Sequence, residues 1–386
     1  MSVYYSVGNQ IFNHKIEAVM ASIKMNEPVV WNFHKEKLES YDWTIEPELS
    51  LDKLYEMRAQ QIIGSYDYVV ILCSGGADST NVLKSFVNND IIPDQIIASM
   101  PLTGLRDYNF NDKDTSHNNT MSETVYAQIP LLKEIANSHP NIKITVNDYF
   151  EDILSYESEE WIYTCEHWIH PSSAARYNFE KHKHLKNLAE SGKRIAFVYG
   201  IDKPTVLLAN NGKMYSLLTD IAVNVARPPF NVDYPNVENV LFYWTPEIPE
   251  IMIKQAHAVA KWLHLPENSK QQSYMLDSHK PAESSYAARA KHSKYERAIV
   301  PILYPSTHKI IFQAEKPSNI NMGEHDNWFY KHHSKIQTYD IMMNDVKRFF
   351  EKIPENQLGY NNNGFKILIN YYCIGHLDKF KPYVSH

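Results

Sequence analysis

The feature that most limits the possible folds of this chain is an unbroken apolar run at 68–73 (YVVILC). It is followed at once by a stretch of small and polar residues at 74–79 (SGGADS). Runs of β-branched and apolar residues are typical of strands buried on both faces of a parallel sheet. From Thr80 to Asn88, the apolar residues Val82, Leu83 and Phe86 recur at helical spacing. The sequence therefore predicts a buried strand, a tight loop and an amphipathic helix in direct succession.

The same alternation continues along the chain. Apolar runs at 95–99, 142–146 and 194–199 are predicted strands, and 120–137 and 161–190 have the character of helices between them. Alternating strands and helices form a parallel sheet wrapped by helices, so we predict an α/β fold. From about 226 onward we find helical periodicity, as at 248–263, and no further βα alternation, which predicts a mostly helical C-terminal region.

The length of the chain, 386 residues, exceeds the usual size of one domain. We expect an N-terminal cap at 1–64, which ends at a polar break around Gly64, then an α/β domain at 65–225. The C-terminal region at 226–386 is expected to bind the substrate. About 65 residues before the first core strand are too few for a glutaminase domain.

Composition excludes several classes of protein. Hydrophobic residues make up 44% and charged residues 22%, as in ordinary globular proteins. The formal charge of −7 and the lack of a long basic run argue against a large nonspecific nucleic-acid surface. Three cysteines without a CxxC pair, no leader-like N-terminus and no membrane-length apolar window indicate a cytoplasmic protein without a membrane partner.

The loop at 74–79 has the properties of a phosphate cradle. Small residues let the backbone approach an anion, and the helix that begins near Asp78 directs its amide groups and positive dipole end toward that anion. Ser74 and Ser79 offer hydroxyl donors, whereas the Asp78 carboxylate would repel phosphate unless a cation such as Mg²⁺ bridges them. The alternative is a glycine-containing turn with Asp78 as the helix cap, and the strand-loop-helix context favours phosphate.

The motif SGGADS resembles the SGGxDS signature of the PP-loop ATP pyrophosphatases, of the N-type that is asparagine-synthetase-like. It differs from the Walker P-loop because no Gly-Lys-Ser/Thr follows. The βαβ order supports the resemblance over roughly 65–220. The resemblance implies an adenine nucleotide alpha hydrolase-like, HUP-type fold, with ATP and Mg²⁺ as cofactors and Asp78 placing the metal. The nucleotide-binding residues implied are Ser74, Gly75, Gly76, Asp78, Ser79 and Thr80.

The family adenylates a carbonyl or carboxylate oxygen, releases pyrophosphate and lets a nucleophile displace AMP. The leading expectation is therefore an AMP-forming ligase that uses a nitrogen nucleophile, with catalytic residues at Asp78, Asp202 and Lys203. Without a glutaminase domain, the amine would come from free ammonia, an amino-bearing substrate or a separate partner. The acceptor is an unidentified small molecule or nucleobase.

Asp202 and Lys203 belong to a second loop, Gly200 to Pro204, directly after the predicted strand at 194–199. Asparagine-synthetase-like members have a ligand loop here, but its Gly-rich, Asp-Glu-containing sequence is not reproduced. A lysine near the α-phosphate would offset the charge that builds up as pyrophosphate departs, and an aspartate can hold a metal or an amine. The alternative is a surface turn closed by Pro204.

Two other functions remain open. A sulfur-inserting enzyme of the same family would carry persulfide on a cysteine, with Cys165 as the candidate, although Cys165 also fits a buried helix face. A noncatalytic ATP sensor would use the polar segment 105–119, either a loop near the site or a linker, to report occupancy. A basic stretch either closes over phosphates or is solvated; its members are Arg289, Lys291, Lys294 and Arg297.

Overall fold

The computed structural model describes residues 3–100, 102, 124–148, 182–209, 211–220, 234–268, 298–310, 344, 348 and 368–380. The strands are β1 (Val3–Val7), β2 (Gln10–Phe12), β3 (Val29–Phe33), β4 (Tyr68–Leu72), β5 (Gln95–Met100), β6 (Lys143–Asp148), β7 (Ile195–Tyr199), β8 (Thr205–Leu208), β9 (Lys213–Thr219), β10 (Val237–Leu241) and β11 (Ile369–His376). The helices are α1 (Lys15–Met25), α2 (Lys35–Glu39), α3 (Leu51–Ser65), α4 (Ala77–Val87), α5 (Ile129–Ser138), α6 (Lys183–Glu190) and α7 (Glu250–His264). None of these helices combines the length and the apolar character that crossing a bilayer requires.

The described residues also include several short helical segments. A π-helical turn at Thr124–Gln128 runs directly into α5. Residues 298–303 are helical, and 3₁₀ turns lie at Pro266–Asn268, His308–Ile310 and Leu377–Lys379. The segment 298–310 packs against the beginning of α4 through Tyr304 and Thr307.

A five-stranded parallel sheet in the order β10-β7-β4-β5-β6 forms the centre of the molecule. β4 is the first strand of this sheet in chain order; β5 and β6 are added on one side of it, and β7 and β10 on the other side. The predicted strands at 68–73, 95–99, 142–146 and 194–199 are thereby confirmed, as is the α/β class. The strand order changes direction between β4 and β7.

Both faces of this sheet are covered, which explains the continuous apolar sequence of β4. Successive residues of a strand point to opposite faces. Val69 and Ile71 belong to the core shared with α3, α4, α5 and α7, whereas Val70 packs with Leu185 of α6 on the other face. All three side chains are almost completely buried. An alternating strand could not satisfy two buried faces, so the pattern at 68–73 specifies a central position.

The prediction that βα alternation ends at about 226 is wrong. Strand β10 lies beyond that point, pairs in parallel with β7 and is followed by α7. Its sequence, VENVL, includes Glu238 and Asn239 because β10 is the edge of the sheet, where part of the strand faces solvent. A strand of this kind lacks the unbroken apolar run by which β4 and β7 are recognisable.

Two antiparallel sheets accompany the parallel one. The N-terminal sheet has the order β2-β1-β3, and β11, from near the C-terminal end of the described chain, pairs with β9 in the sheet β11-β9-β8. A buried ion pair, with Lys15 Nζ 2.5 Å from Asp220 Oδ2, connects α1 to the end of β9. Helix α3 runs through Gly64 and ends at Ser65, and the predicted boundary of the N-terminal cap at 64 stays a prediction.

Candidate functional site

The loop at 74–76 emerges from the carboxyl end of β4, and the loop at 200–204 emerges from the carboxyl end of the adjacent strand β7. Between these two strands the order of the sheet reverses. Open α/β sheets bind ligands in the crevice outside the carboxyl ends of the strands at such a switch point. The two segments singled out by sequence thus lie side by side where this fold class forms its sites.

Gly75 is required by both the conformation and the packing of the first loop. Its φ is +81°, and a Cβ at this position would lie 2.6 Å from Cβ of Gln128. Gln128 is itself buried, and its Nε2 donates hydrogen bonds to the carbonyl oxygens of Cys73 at 2.8 Å and Ser99 at 3.3 Å. One amide group therefore holds the ends of β4 and β5, and Gln128 is a supporting residue that sequence reasoning missed.

Side-chain hydroxyl groups stabilise the loop through hydrogen bonds within it. Ser79 Oγ accepts a hydrogen bond from the Ser74 amide at 3.2 Å and lies 3.1 Å from Ser74 Oγ. The Gly76 amide donates to Ser74 Oγ at 3.3 Å. Thr80 is buried, and its Oγ1 donates to the carbonyl oxygen of Gly75 at 3.3 Å. Thr80 therefore braces the loop in this structure, and its contact with a nucleotide stays a prediction.

Helix α4 begins without a side-chain cap. Its N-cap residue is Gly76, with extended backbone angles, and the first backbone hydrogen bond of the helix runs from the Thr80 amide to the Gly76 carbonyl. The amides of the first turn precede that bond and carry the positive end of the helix dipole. The alternative reading, with Asp78 as the helix cap, is wrong, because Asp78 lies inside the first turn of the helix.

The Asp78 carboxylate receives two donors from distant parts of the chain. Lys203 Nζ forms an ion pair with Asp78 Oδ2, and the Tyr304 hydroxyl donates to Asp78 Oδ1. The Lys203 amide donates to Asp202 Oδ1 at 2.7 Å, so the Asp202 side chain also orders the backbone of this loop. The structure thus brings Asp78 and Lys203 into direct contact, with Asp202 beside Lys203 in the loop, and Tyr304 is a further partner of Asp78.

A second tyrosine supports the backbone of Asp78. The Tyr243 hydroxyl donates to the Asp78 carbonyl oxygen at 2.9 Å and accepts from Asn81 Nδ2 at 3.0 Å. Burial raises the pKa of the Tyr243 and Tyr304 phenols well above the ordinary value, and the charge of Asp78 raises both further. Both hydroxyls therefore stay protonated and act as donors over the physiological pH range.

Sequence carries an indirect signal for Tyr243 and none for Tyr304. Tyr243 follows β10, so recognising that strand would have located its carboxyl end at the same edge of the sheet as the loops. Tyr304 follows a short helical segment after the parallel sheet is complete. Nothing in its sequence neighbourhood distinguishes it from a core tyrosine.

A single carboxylate, that of Asp78, is compatible with a metal ion that is held mainly by phosphate oxygens. Within the described ranges, no group of three or more His, Cys, Asp or Glu side chains is arranged to hold a metal ion. Mg²⁺ typically takes one or two protein carboxylates and fills its remaining positions with phosphate oxygens and water. The Asp78 carboxylate, in the first turn of α4, could serve as the protein ligand of such an ion.

Several predicted features lie outside the described residues. These are the segment 105–119, Cys165 and the basic positions Arg289, Lys291, Lys294 and Arg297. The described cysteines are Cys73, buried directly beneath the loop, and Cys373, half-buried on β11, and both are free thiols. No protein-family model matches the chain, and no curated protein matches it.

Proposed function

We propose that this protein binds ATP in the loop 74–79 and cleaves it between the α- and β-phosphates as an AMP-forming synthetase. One observation carries the proposal: the loops after β4 and β7 meet at the switch point of the sheet and bring the Lys203 ammonium to the N-terminus of α4. A helix N-terminus with free amide groups and a neighbouring ammonium is suited to an oligophosphate anion. The resemblance of SGGADS to the PP-loop signature supports ATP as that anion.

The strand order supports the same nucleotide fold. Numbered from β4 along the chain, the sheet reads 3-2-1-4-5, with the phosphate loop after the first strand. Doubly wound folds with this order bind nucleotides beside the first strand. We therefore propose that the α/β domain is of the adenine nucleotide alpha hydrolase-like, HUP type.

Charge balance suggests how the site would accommodate ATP and Mg²⁺. In the free protein, Lys203 and Asp78 neutralise each other at a partly buried position, with side chains 11% and 22% exposed. Bound phosphates would attract Lys203, and Asp78 would then be available as a metal ligand. Lys203 beside the α-phosphate would offset the negative charge that develops on the bridging oxygen as pyrophosphate leaves.

The reaction that follows from the resemblance has two steps. A carboxylate or carbonyl oxygen of the acceptor attacks the α-phosphorus, forming an adenylate and releasing pyrophosphate. A nitrogen nucleophile then attacks the activated carbon, and AMP leaves with the oxygen. Sulfur transfer is the alternative, and it rests on Cys165, because Cys73 is only 2% exposed and lies under the loop.

ATP analogues distinguish this proposal from other nucleotide chemistries. The protein is incubated with Mg²⁺, the small-molecule fraction of a cell extract, and either α,β-methylene-ATP or β,γ-imido-ATP. An AMP-forming enzyme produces AMP and imidodiphosphate from the second analogue and nothing from the first. The variant Asp78→Asn serves as the control for cleavage by contaminating enzymes.

Other outcomes have equally direct meanings. ADP as the stoichiometric product of ATP would contradict the proposal, because it requires cleavage between the β- and γ-phosphates. Tight binding of ATP without any cleavage, in extracts from several sources, would favour the noncatalytic sensor instead.

A further inference from the structure

Tyr304 reaches the candidate site from a part of the chain 226 positions away from Asp78. Its side chain is fully buried, and its ring stacks on Tyr243 with a centroid distance of 5.7 Å and lies 6.4 Å from the ring of Tyr55. Its hydroxyl group, at the end of this aromatic cluster, donates to Asp78 Oδ1. The cluster thus places one phenol donor on the carboxylate that the proposed function assigns to the metal.

The register between the two segments is set by a second contact one helical turn away. Thr307 Oγ1 donates to Asn81 Oδ1 at 2.8 Å. Asp78 and Asn81 are three residues apart on α4 and share one face of the helix. Tyr304 and Thr307 are the two ends of a turn, in which the Thr307 amide donates to the Tyr304 carbonyl oxygen at 3.1 Å. The Tyr55 hydroxyl also holds this segment, through a 2.8 Å bond to the Leu303 carbonyl oxygen. Tyr304 therefore occupies a defined position relative to α4.

The two oxygens of Asp78 have different partners. Oδ1 accepts from the hydroxyl of Tyr304, an uncharged and fully buried donor. Oδ2 pairs with Lys203, a charged group on the loop after β7. A phosphate anion would compete with Asp78 for Lys203, but it has no comparable attraction for the buried phenol. The contact to Tyr304 would therefore persist when a nucleotide binds.

We propose that Tyr304 is a positioning residue of the nucleotide site, whose hydroxyl orients the Asp78 carboxylate and so determines how strongly Mg²⁺ enhances the binding of ATP. This inference rests on the proposed function, because it assigns Asp78 to the metal. Mg²⁺ accepts only near-ideal octahedral geometry, so a carboxylate that rotates freely binds it less well than one that is held. The residue that holds the carboxylate comes from the C-terminal part of the chain, outside the α/β segment that carries the signature.

The quantity to measure is the Mg²⁺ enhancement, defined as the ratio of the ATP dissociation constants in EDTA and in Mg²⁺. Isothermal titration calorimetry gives both constants for the full chain. Tyr304→Phe keeps the ring in the cluster and removes only the hydroxyl. We expect it to lower the enhancement by roughly tenfold, as for loss of a hydrogen bond to a charged group or of a residue that orients a metal ligand, with the constant in EDTA nearly unchanged.

Tyr55→Phe is the matched control. It also removes one buried hydroxyl that holds the same segment, but that hydroxyl bonds to Leu303 and Gln255 rather than to Asp78. A loosened segment would therefore lower the enhancement in both variants, whereas a positioning role lowers it only in Tyr304→Phe. In an Asp78→Asn background, Tyr304→Phe should cause no further decrease.

Each remaining outcome identifies what has failed. An unchanged enhancement in Tyr304→Phe, or an equal decrease in Tyr55→Phe, would overturn the positioning role while ATP binding by the wild type leaves the proposed function standing. If the wild type binds ATP neither in Mg²⁺ nor in EDTA, the proposed function itself is overturned, and the role of Tyr304 with it.

Discussion

Gly200 lies directly against the first turn of α4, so that a Cβ on Gly200 would be 2.9 Å from the amide nitrogen of Ser79. The same atom would be 2.9 Å from the carbonyl carbon of Asp78. The loops after β4 and β7 therefore touch backbone to backbone, and this approach brings Lys203 to the Asp78 carboxylate. Four predictions follow from this arrangement and from the fold around it.

Gly200→Ala should separate the two loops. The new methyl group meets backbone atoms, which cannot rotate away as a side chain could, so we expect a loss of about 1–3 kcal/mol in the free energy of unfolding, as for overpacking elsewhere. ATP affinity should fall as well, because the ammonium of Lys203 moves away from the helix N-terminus. Urea denaturation and calorimetric titration with ATP measure the two effects.

Gly64→Ala is the control for this substitution. Gly64 lies within α3, and a Cβ there would have no heavy atom within 4 Å. Gly64 lies in the last turn of α3, so alanine there should stabilise the protein by at most about 0.5–1 kcal/mol, the gain in a helix interior, and leave ATP affinity unchanged. Equal behaviour of the two variants would show that the close approach at Gly200 has no consequence.

Lys203→Met should lower the rate of the chemical step more than the affinity for ATP. In the proposed reaction, the charge of the lysine would matter most in the transition state, when negative charge accumulates on the leaving pyrophosphate. Lys203→Arg should not restore the rate, since a planar guanidinium differs in shape from a compact ammonium. Single-turnover rates and ATP dissociation constants provide the comparison.

Lys84→Met is the control, because it removes a different ion pair of α4, the helix that carries Asp78. Lys84 is also buried and pairs with Glu134 of α5, away from the loop. Its substitution should reduce stability without a specific effect on single-turnover chemistry. If Lys203→Met leaves the single-turnover rate at the wild-type value, Lys203 has only a structural role in its loop.

Gln128→Leu should destabilise the loop at 74–76, because Gln128 holds the strand ends next to it. The substitution removes the donor shared by the carbonyl oxygens of Cys73 and Ser99 and leaves buried acceptors without it. The expected cost is about 1–3 kcal/mol in the free energy of unfolding, with weaker ATP binding because the ends of β4 and β5 are no longer held together. Gln60→Leu, at an exposed position of α3, should change neither quantity.

His257 should make the stability depend on pH. Burial lowers the pKa of His257 from 6.5 in the folded protein, and its Nε2 lies 2.9 Å from the carbonyl oxygen of Trp43. Below about pH 6.5 the His257 imidazole binds a proton more readily in the unfolded chain than in the folded protein. The free energy of unfolding therefore decreases as the pH falls.

His257→Gln removes this contribution. The loss of unfolding free energy between about pH 7.5 and about pH 5.5 should be smaller in the variant than in the wild type. Some dependence should remain, because burial also lowers the pKa values of His34 and His184. Identical pH slopes for the two proteins would contradict the assignment to His257.

The elements that the sequence predicted correctly are those whose pattern depends only on residues close together in the chain. The strand at 68–73 corresponds to β4, the one at 194–199 to β7, and the helix at 248–263 to α7. The helix predicted at 120–137 corresponds to the π turn and α5 within the described residues. In each case one face, or both faces, must be apolar over a continuous stretch, and that requirement is visible in a short window of sequence.

The tertiary structure decided the features that depend on residues far apart in the chain. The polar edge strand β10 becomes recognisable only through its pairing with β7. Tyr304 and Gln128 reach the loop by packing, and their hydroxyl and amide groups find acceptors that no local pattern announces. Sequence by itself determined which segment combines small residues with a helix N-terminus at the end of a buried strand, because those properties are local. Which side chains surround that segment was decided by the closure of the fold, because the contacts join positions separated by tens to hundreds of residues.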